Sequence, residues 1–163
     1  MQPKIELHPI GVVRSDDAGF RIEIDREFRP ALAGLEGFGH VTVLWWPNRC
    51  DTPEDRSVLE VAKPYKQSPA KLGIFATRSE RRPNPVLTTN AVVLRLDSKQ
   101  GLLVTPFLDA EDGSPVLDLK PYQPCIDRIR ETRQPGWCRH WPDSYEDSAS
   151  FDWESEFLFV DKS

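Results

Sequence analysis

Short stretches of apolar and polar residues, broken at close intervals by proline and glycine, make up most of this chain. Phe20-Arg21-Ile22-Glu23-Ile24-Asp25 alternates strictly, as a half-buried strand does. Ile5 to Val13 reads as a first strand, with Gly11 as a bulge or a point of close backbone approach and Arg14 to Gly19 as the following turn. His40 to Trp46 is almost continuously apolar, which predicts a central strand buried on both faces. Alternation still requires one of Trp45 and Trp46 to face away from the core. Leu72 to Ala76, Asn90 to Leu96, Gly101 to Leu108 and Val116 to Leu119 complete the predicted strands. Asp97-Ser98-Lys99-Gln100 and Asp112-Gly113 are turn signals between them. Helical pattern is confined to Pro30 to Phe38 and to a turn or two over Pro53 to Glu60, where Thr52 is an N-cap and Pro53 the first helical residue. Beyond Pro121 the pattern fades. Asp143 to Ser150 is acidic, serine-rich and expected to be mobile, and Phe157-Leu158-Phe159-Val160 is a last apolar segment able to dock on the sheet. Many short strands with turns between them predict an all-β barrel or sandwich.

Composition narrows this reading. The 163 residues suit one domain, and 15 prolines with 9 glycines argue against a helix-rich architecture. No apolar run approaches the length of a membrane span. Met1-Gln2-Pro3-Lys4 lacks a basic-then-apolar signal pattern, so a cytoplasmic location is expected. The net charge of −5 argues against holding nucleic acid by general electrostatics and leaves room for a local basic patch. Cys50, Cys125 and Cys138 cannot all pair within one chain and are expected to be reduced thiols. Cys125, Cys138 and His140 could serve a thiol or metal protein, but there is no CxxC and no second clustered pair, so no metal site is expected.

The local basic patch is explicit. Between Thr77 and Pro85 the chain places Arg78, Arg81, Arg82, two hydroxyls and two prolines directly after an apolar stretch. The prolines stiffen Arg82-Pro83 and Asn84-Pro85. Arginine offers a planar fork of donors suited to carboxylate or phosphate. A stiff loop carrying such forks beside a strand end reads as a binding site.

Gly73-Ile74-Phe75-Ala76-Thr77-Arg78-Ser79 followed by Arg82-Pro83-Asn84-Pro85 resembles the signature of the TsaA-like family. Ile10 to Ser15, Leu35-Glu36-Gly37-Phe38-Gly39-His40, and Asp112-Gly113-Ser114-Pro115-Val116-Leu117-Asp118-Leu119-Lys120-Pro121-Tyr122 resemble further family segments in the same order. The best-known members are S-adenosylmethionine-dependent methyltransferases, which modify N6 of a threonylcarbamoyl-adenosine beside the tRNA anticodon. The resemblance implies an antiparallel β-barrel; with the residue pattern this gives a mainly β, single-domain barrel over residues 1–125 with short helical turns, followed by an irregular C-terminal extension over 126–163 that packs on or beside it. It also implies a homodimer that binds S-adenosylmethionine and has tRNA as its substrate.

Carried over residue by residue, the resemblance assigns Asn48, Arg49, Arg78, Asn90, Leu108, Asp109, Ala110 and Glu111 to the cofactor, with Arg78 meeting its carboxylate or ribose. Arg81, Arg82 and Lys120 are candidate substrate contacts. Asp112 or Tyr122 would accept the proton lost by the acceptor amine, and the residues do not select between them. Three departures accompany the resemblance. Val86-Leu87-Thr88-Thr89 stands where the family continues Ile-Gly-x-Ser, and the glutamine-proline-glycine segment before Leu35 is missing. An acidic, tryptophan-bearing tail stands where the bacterial tRNA enzymes carry a second domain. These departures keep a second expectation in view, a non-catalytic S-adenosylmethionine-binding sensor or protein-interaction module.

Overall fold

The computed structural model describes residues 5–17 and 19–158. Nine strands and four short α-helices follow one another: β1 (Gly11–Asp16), β2 (Gly19–Ile24), β3 (His40–Trp45), α1 (Pro53–Arg56), β4 (Glu60–Ala62), β5 (Lys71–Gly73), β6 (Leu87–Val92), β7 (Arg95–Asp97), β8 (Leu102–Thr105), β9 (Pro115–Pro121), α2 (Pro124–Asp127), α3 (Tyr145–Ser148) and α4 (Trp153–Glu156). Seven strands form one antiparallel sheet in the order β6-β3-β9-β1-β2-β8-β7, and β4 pairs with β5 apart from it.

This sheet is open, which corrects the expected barrel. Its edges, β6 and β7, do not pair with each other. The reason lies in the chain path. Only Val93 and Leu94 separate the two edge strands, with no reversing turn between them. The Val93 N–H donates to the Gly39 carbonyl beside β3, and the Leu94 N–H to the Val104 carbonyl of β8. The polypeptide itself crosses from one edge to the other, where a barrel would have a closing ladder of hydrogen bonds.

Alternation decides what is buried. Val13, Ile22, Ile24, Val41, Val43, Trp45, Leu103, Leu108 and Val116 form the core with Leu32, Leu35, Leu87 and Ala91. β3 is paired on both sides but buried mainly on one face. Val41, Val43 and Trp45 point inward, while Thr42 and Leu44 are half-buried on the other face. Trp46 continues that outer face and its indole N–H donates to Asp51. The apolar run therefore reflects one buried and one sheltered face, not two buried ones. Gly11 is the expected close approach, since a Cβ there would lie 2.2 Å from the Glu23 carbonyl oxygen.

Several boundaries move. β1 starts at Gly11, because Ile5 to Pro9 are exposed, and it runs on through Arg14 to Asp16. Cross-strand pairs of Arg14 with Glu23 and Arg21 with Asp16 hold that extension in the hairpin. The stretch after Leu72 ends as a 3-10 turn, Ile74–Ala76, and Pro30 to Phe38 yields a 3-10 turn over Arg29–Leu32. β9 is longer than expected and lies between β3 and β1. α1 opens on Thr52 as N-cap with Pro53 first, as its sequence predicts, and Asp55 completes a capping box. α3 gives Asp143 to Ser150 a helical turn capped by Ser144.

The C-terminal residues meet the segment before β5. Tyr65 stacks on Trp137 at 5.4 Å and meets Trp141 at 4.8 Å and Phe157 at 5.6 Å. Backbone bonds join Lys66 to Glu156 and Leu158 to Pro64. Phe159 and Val160 of the last apolar segment lie outside the described residues.

Candidate functional site

Cross-strand register sorts the site candidates into two groups. Directly opposed residues of an antiparallel sheet share a face. On β6, β3 and β9, Thr88, Leu44 and Asp118 form one row, and Asn90, Thr42 and Lys120 the next. His40 and Tyr122 extend the pattern by one more row, with their rings 6.2 Å apart and the Tyr122 N–H donating to the His40 carbonyl. This is the outer face, opposite Val41, Val43 and Trp45. It is a polar shelf across three strands. Thr42 Oγ1 donates to Asn90 Oδ1 at 2.7 Å, and Lys120 Nζ pairs with Asp118 at 2.6 Å. The hydrogen bond to Asp118 holds the Lys120 ammonium above its ordinary pKa.

Arg78 joins this shelf from the loop. Its Nη2 donates to the Thr88 carbonyl at 2.9 Å and to Thr88 Oγ1 at 2.7 Å. The residue is otherwise exposed, and the rest of its guanidinium has no protein partner among the described residues. Behind the loop, Tyr65 is buried against the aromatic cluster. Burial pushes its phenol up, and hydrogen bonding from the Arg78 backbone opposes that rise.

The second group lies where β3 ends and β6 and β9 begin. Asn48 Nδ2 donates to the Gly113 carbonyl at 3.2 Å, and Arg49 pairs with Glu111 at 2.6 Å. Asp112 Oδ1 accepts from the Ser15 N–H at 3.0 Å, and its Oδ2 lies 4.0 Å from Arg14. Ala110 packs on the core, Asp109 is exposed, and Leu108 is only 1% exposed, so any contact Leu108 offers is through its backbone. Ser114 Oγ is buried with no hydrogen-bond partner among the described residues.

The other two loop arginines are spoken for differently. Arg81 pairs with Asp55 of α1 at 3.2 Å. Arg82 donates to the Thr77 and Ser79 carbonyls and lies over the Phe75 ring at 6.0 Å. Asp55 and Phe75 were not singled out from sequence. Thr52 marked the helix start, but the reach of Asp55 to Arg81 depends on the loop's path.

The shelf thus gathers Arg78, Asn90, Lys120 and Tyr122, and the strand-end loops gather Asn48, Arg49 and residues 108–112. Arg78 is bound to Thr88, in the shelf row nearest the strand ends. Tyr122 lies two rows along the shelf from Thr88, about 13 Å at the usual rise of a strand, and Asp112 lies in the other group. Among the described residues no cluster of three or more His, Cys, Asp or Glu side chains could hold a metal ion. His140 bonds to Glu156 instead, Cys125 is exposed, and burial pushes the Cys50 and Cys138 thiols up.

The site is carried by an open antiparallel sheet with an arginine loop bound to its β6 edge. Residues 4–128 match the tRNA-methyltransferase O N-terminal domain family, and the chain belongs to that family. It is 37% identical over 140 residues to a probable S-adenosyl-L-methionine-binding protein of Methanothermobacter thermautotrophicus, covering 77% of this chain and 96% of that one. A probable S-adenosyl-L-methionine-binding protein of Archaeoglobus fulgidus is 35% identical over 147 residues, which is 82% of this chain but only 38% of the relative. The crystal structure of TrmO from Pseudomonas aeruginosa superposes with a TM-score of 0.60 at 27% identity, over 80% of this chain and 62% of that one. The chain therefore spans less than two thirds of that enzyme and of the longer Archaeoglobus relative. Among the described residues no helix is long and apolar enough to cross a membrane.

Proposed function

We propose that this chain is an S-adenosylmethionine-dependent methyltransferase domain, a divergent TsaA-like member, acting on an adenosine amine beside the anticodon of tRNA. The observation that carries this reading is the binding of Arg78 to Thr88, in the shelf row nearest the end of β3. S-adenosylmethionine supplies the methyl group. Asn48, Arg49, Arg78, Asn90 and residues 108–111 would hold it. Its carboxylate suits the exposed part of the Arg78 guanidinium. The acceptor would lie across the shelf toward Lys120, with Arg81 and Arg82 on its phosphates. Positioning does most of the work in an in-line methyl displacement. The amine's proton passes to Asp112, whose Oδ1 is already engaged by Ser15, or to Tyr122 on the shelf. The proposed protein acts as a homodimer in the cytoplasm.

Purified protein incubated with labelled methyl donor and bulk tRNA, followed by nucleoside mass analysis, tests this directly. Methylated adenosine absent from the Arg78→Ala reaction is the expected result. Calorimetry that detects no donor binding to the wild-type protein would sink the proposal.

One observation favours the second reading, a sensor that binds the donor without transferring its methyl group. The chain spans 96% of the Methanothermobacter relative and 94% of another Archaeoglobus protein named an S-adenosyl-L-methionine-binding protein. Donor binding without transfer to any RNA would favour it.

A further inference from the structure

We infer that Phe75 is a stacking platform for an unpaired nucleobase of the acceptor RNA; this rests on the tRNA reading proposed above. Phe75 is 77% exposed, although Ile74 beside it in the 3-10 turn and the C-cap Thr77 are buried. The Thr77 N–H and hydroxyl both donate to the Ile74 carbonyl, at 3.1 and 2.9 Å. The ring is therefore displayed on a turn that is already rigid. Arg82 is fixed over the ring by its bonds to the Thr77 and Ser79 carbonyls. The ring keeps most of its surface open for a planar group.

The chemistry selects the partner. A large exposed aromatic ring normally costs solubility, and a rigid one loses little entropy when it is covered. Unpaired bases stack on aromatic rings and on arginine planes, and the phosphates beside them need cations. Arg82 lies over the ring and Arg81 beside it in the chain, in a protein whose net charge is −5. A purely apolar protein partner would have no use for a guanidinium over the ring. A base with its own phosphates uses both.

The test measures binding of an anticodon stem-loop RNA, carrying 2-aminopurine at an unpaired position, to wild-type protein and to Phe75→Leu and Phe75→Tyr variants. Leucine keeps the apolar bulk and removes the π face. Stacking predicts that Phe75→Leu binds about 5- to 100-fold more weakly and that Phe75→Tyr binds as the wild type does. Quenching of 2-aminopurine on binding is expected to survive in Phe75→Tyr and vanish in Phe75→Leu. Because no charge is removed, the ratio of wild-type to Phe75→Leu affinity should not change with salt. Equal RNA affinity of Phe75→Leu and wild type overturns the inference while leaving the tRNA reading intact. A changed sedimentation of Phe75→Leu at unchanged RNA affinity overturns it too, by making Phe75 a contact between copies. Wild-type protein that binds the methyl donor but no RNA defeats the tRNA reading itself, and this inference with it.

Discussion

Arg78 is held by Thr88, through the carbonyl at 2.9 Å and through Oγ1 at 2.7 Å. Thr88 belongs to the Val86-Leu87-Thr88-Thr89 stretch that departs from the family pattern. The departure thus does not abandon the arginine; it clamps one nitrogen of the fork to the edge strand and leaves the others for a ligand. Thr88→Val removes the hydroxyl contact and keeps the carbonyl one. Donor affinity by calorimetry is expected to weaken about 3- to 10-fold, the net worth of one ordinary hydrogen bond in a solvent-exposed setting. Arg78→Ala should weaken it further. A Thr88→Val protein that binds donor as tightly as wild type would show that Arg78 needs no such clamp.

Gly11 has no room for a side chain, because a Cβ would sit 2.2 Å from the Glu23 carbonyl oxygen of the paired strand. Backbone on backbone cannot yield by a rotamer change. Gly11→Ala should cost about 1–3 kcal/mol or more, as overpacking does, measured as a shift of the urea midpoint. An unchanged midpoint would mean that β1 and β2 separate easily at this end.

Asp55 serves two partners, the α1 cap at Thr52 and the Arg81 guanidinium. Asp55→Ala keeps the Thr52 hydroxyl's bond to the residue 55 N–H and removes the carboxylate half of the capping box with the ion pair, so at most about 1 kcal/mol and up to about 2–4 °C of thermal midpoint should be lost. Arg81→Ala should cost less, because that half of the pair is 42% exposed and screened by solvent. Equal losses would make the ion pair, not the cap, the dominant element.

Glu156 provides an acid-sensitive latch for the tail. Burial pushes its carboxyl up, but hydrogen bonds from His140 and Trp141 outweigh that and leave it below its ordinary value of 4.5. A depressed carboxyl stabilises the folded state fully above its unfolded pKa and loses that contribution as pH falls through the folded one. Fluorescence of the Trp137, Trp141 and Trp153 cluster should therefore hold steady down to pH 4.5 and change below it. In Glu156→Gln that acid step is expected to disappear. A step of the same size at the same pH in the variant would assign it elsewhere.

Local signals were legible where one short stretch carried the whole device. The alternation of β2, the Thr52-Pro53 helix start, the tight spot at Gly11 and the Asp112-Gly113 turn are each decided by neighbouring residues, and each stands in the fold. The arginine loop was legible for the same reason. The barrel was not, because closure depends on whether β6 and β7 pair, and no local pattern encodes a pairing between strands joined by two residues. The shelf was hidden too. Asn90, Thr42 and Lys120 become one row only through the registers of β3 with β6 and with β9.

The amino-acid sequence by itself determined a strand-rich domain, its turns, and a proline-stiffened cationic loop. Periodicity, proline and glycine act over a few residues, so these features survive without tertiary knowledge. Only the tertiary structure decided that the sheet stays open, that Arg78 is clamped to Thr88, and that Tyr65 carries the tail's aromatic rings to the back of the arginine loop. Those outcomes depend on strand register and on packing between residues far apart in the chain, where many pairings satisfy the same local pattern and only the packed whole selects one.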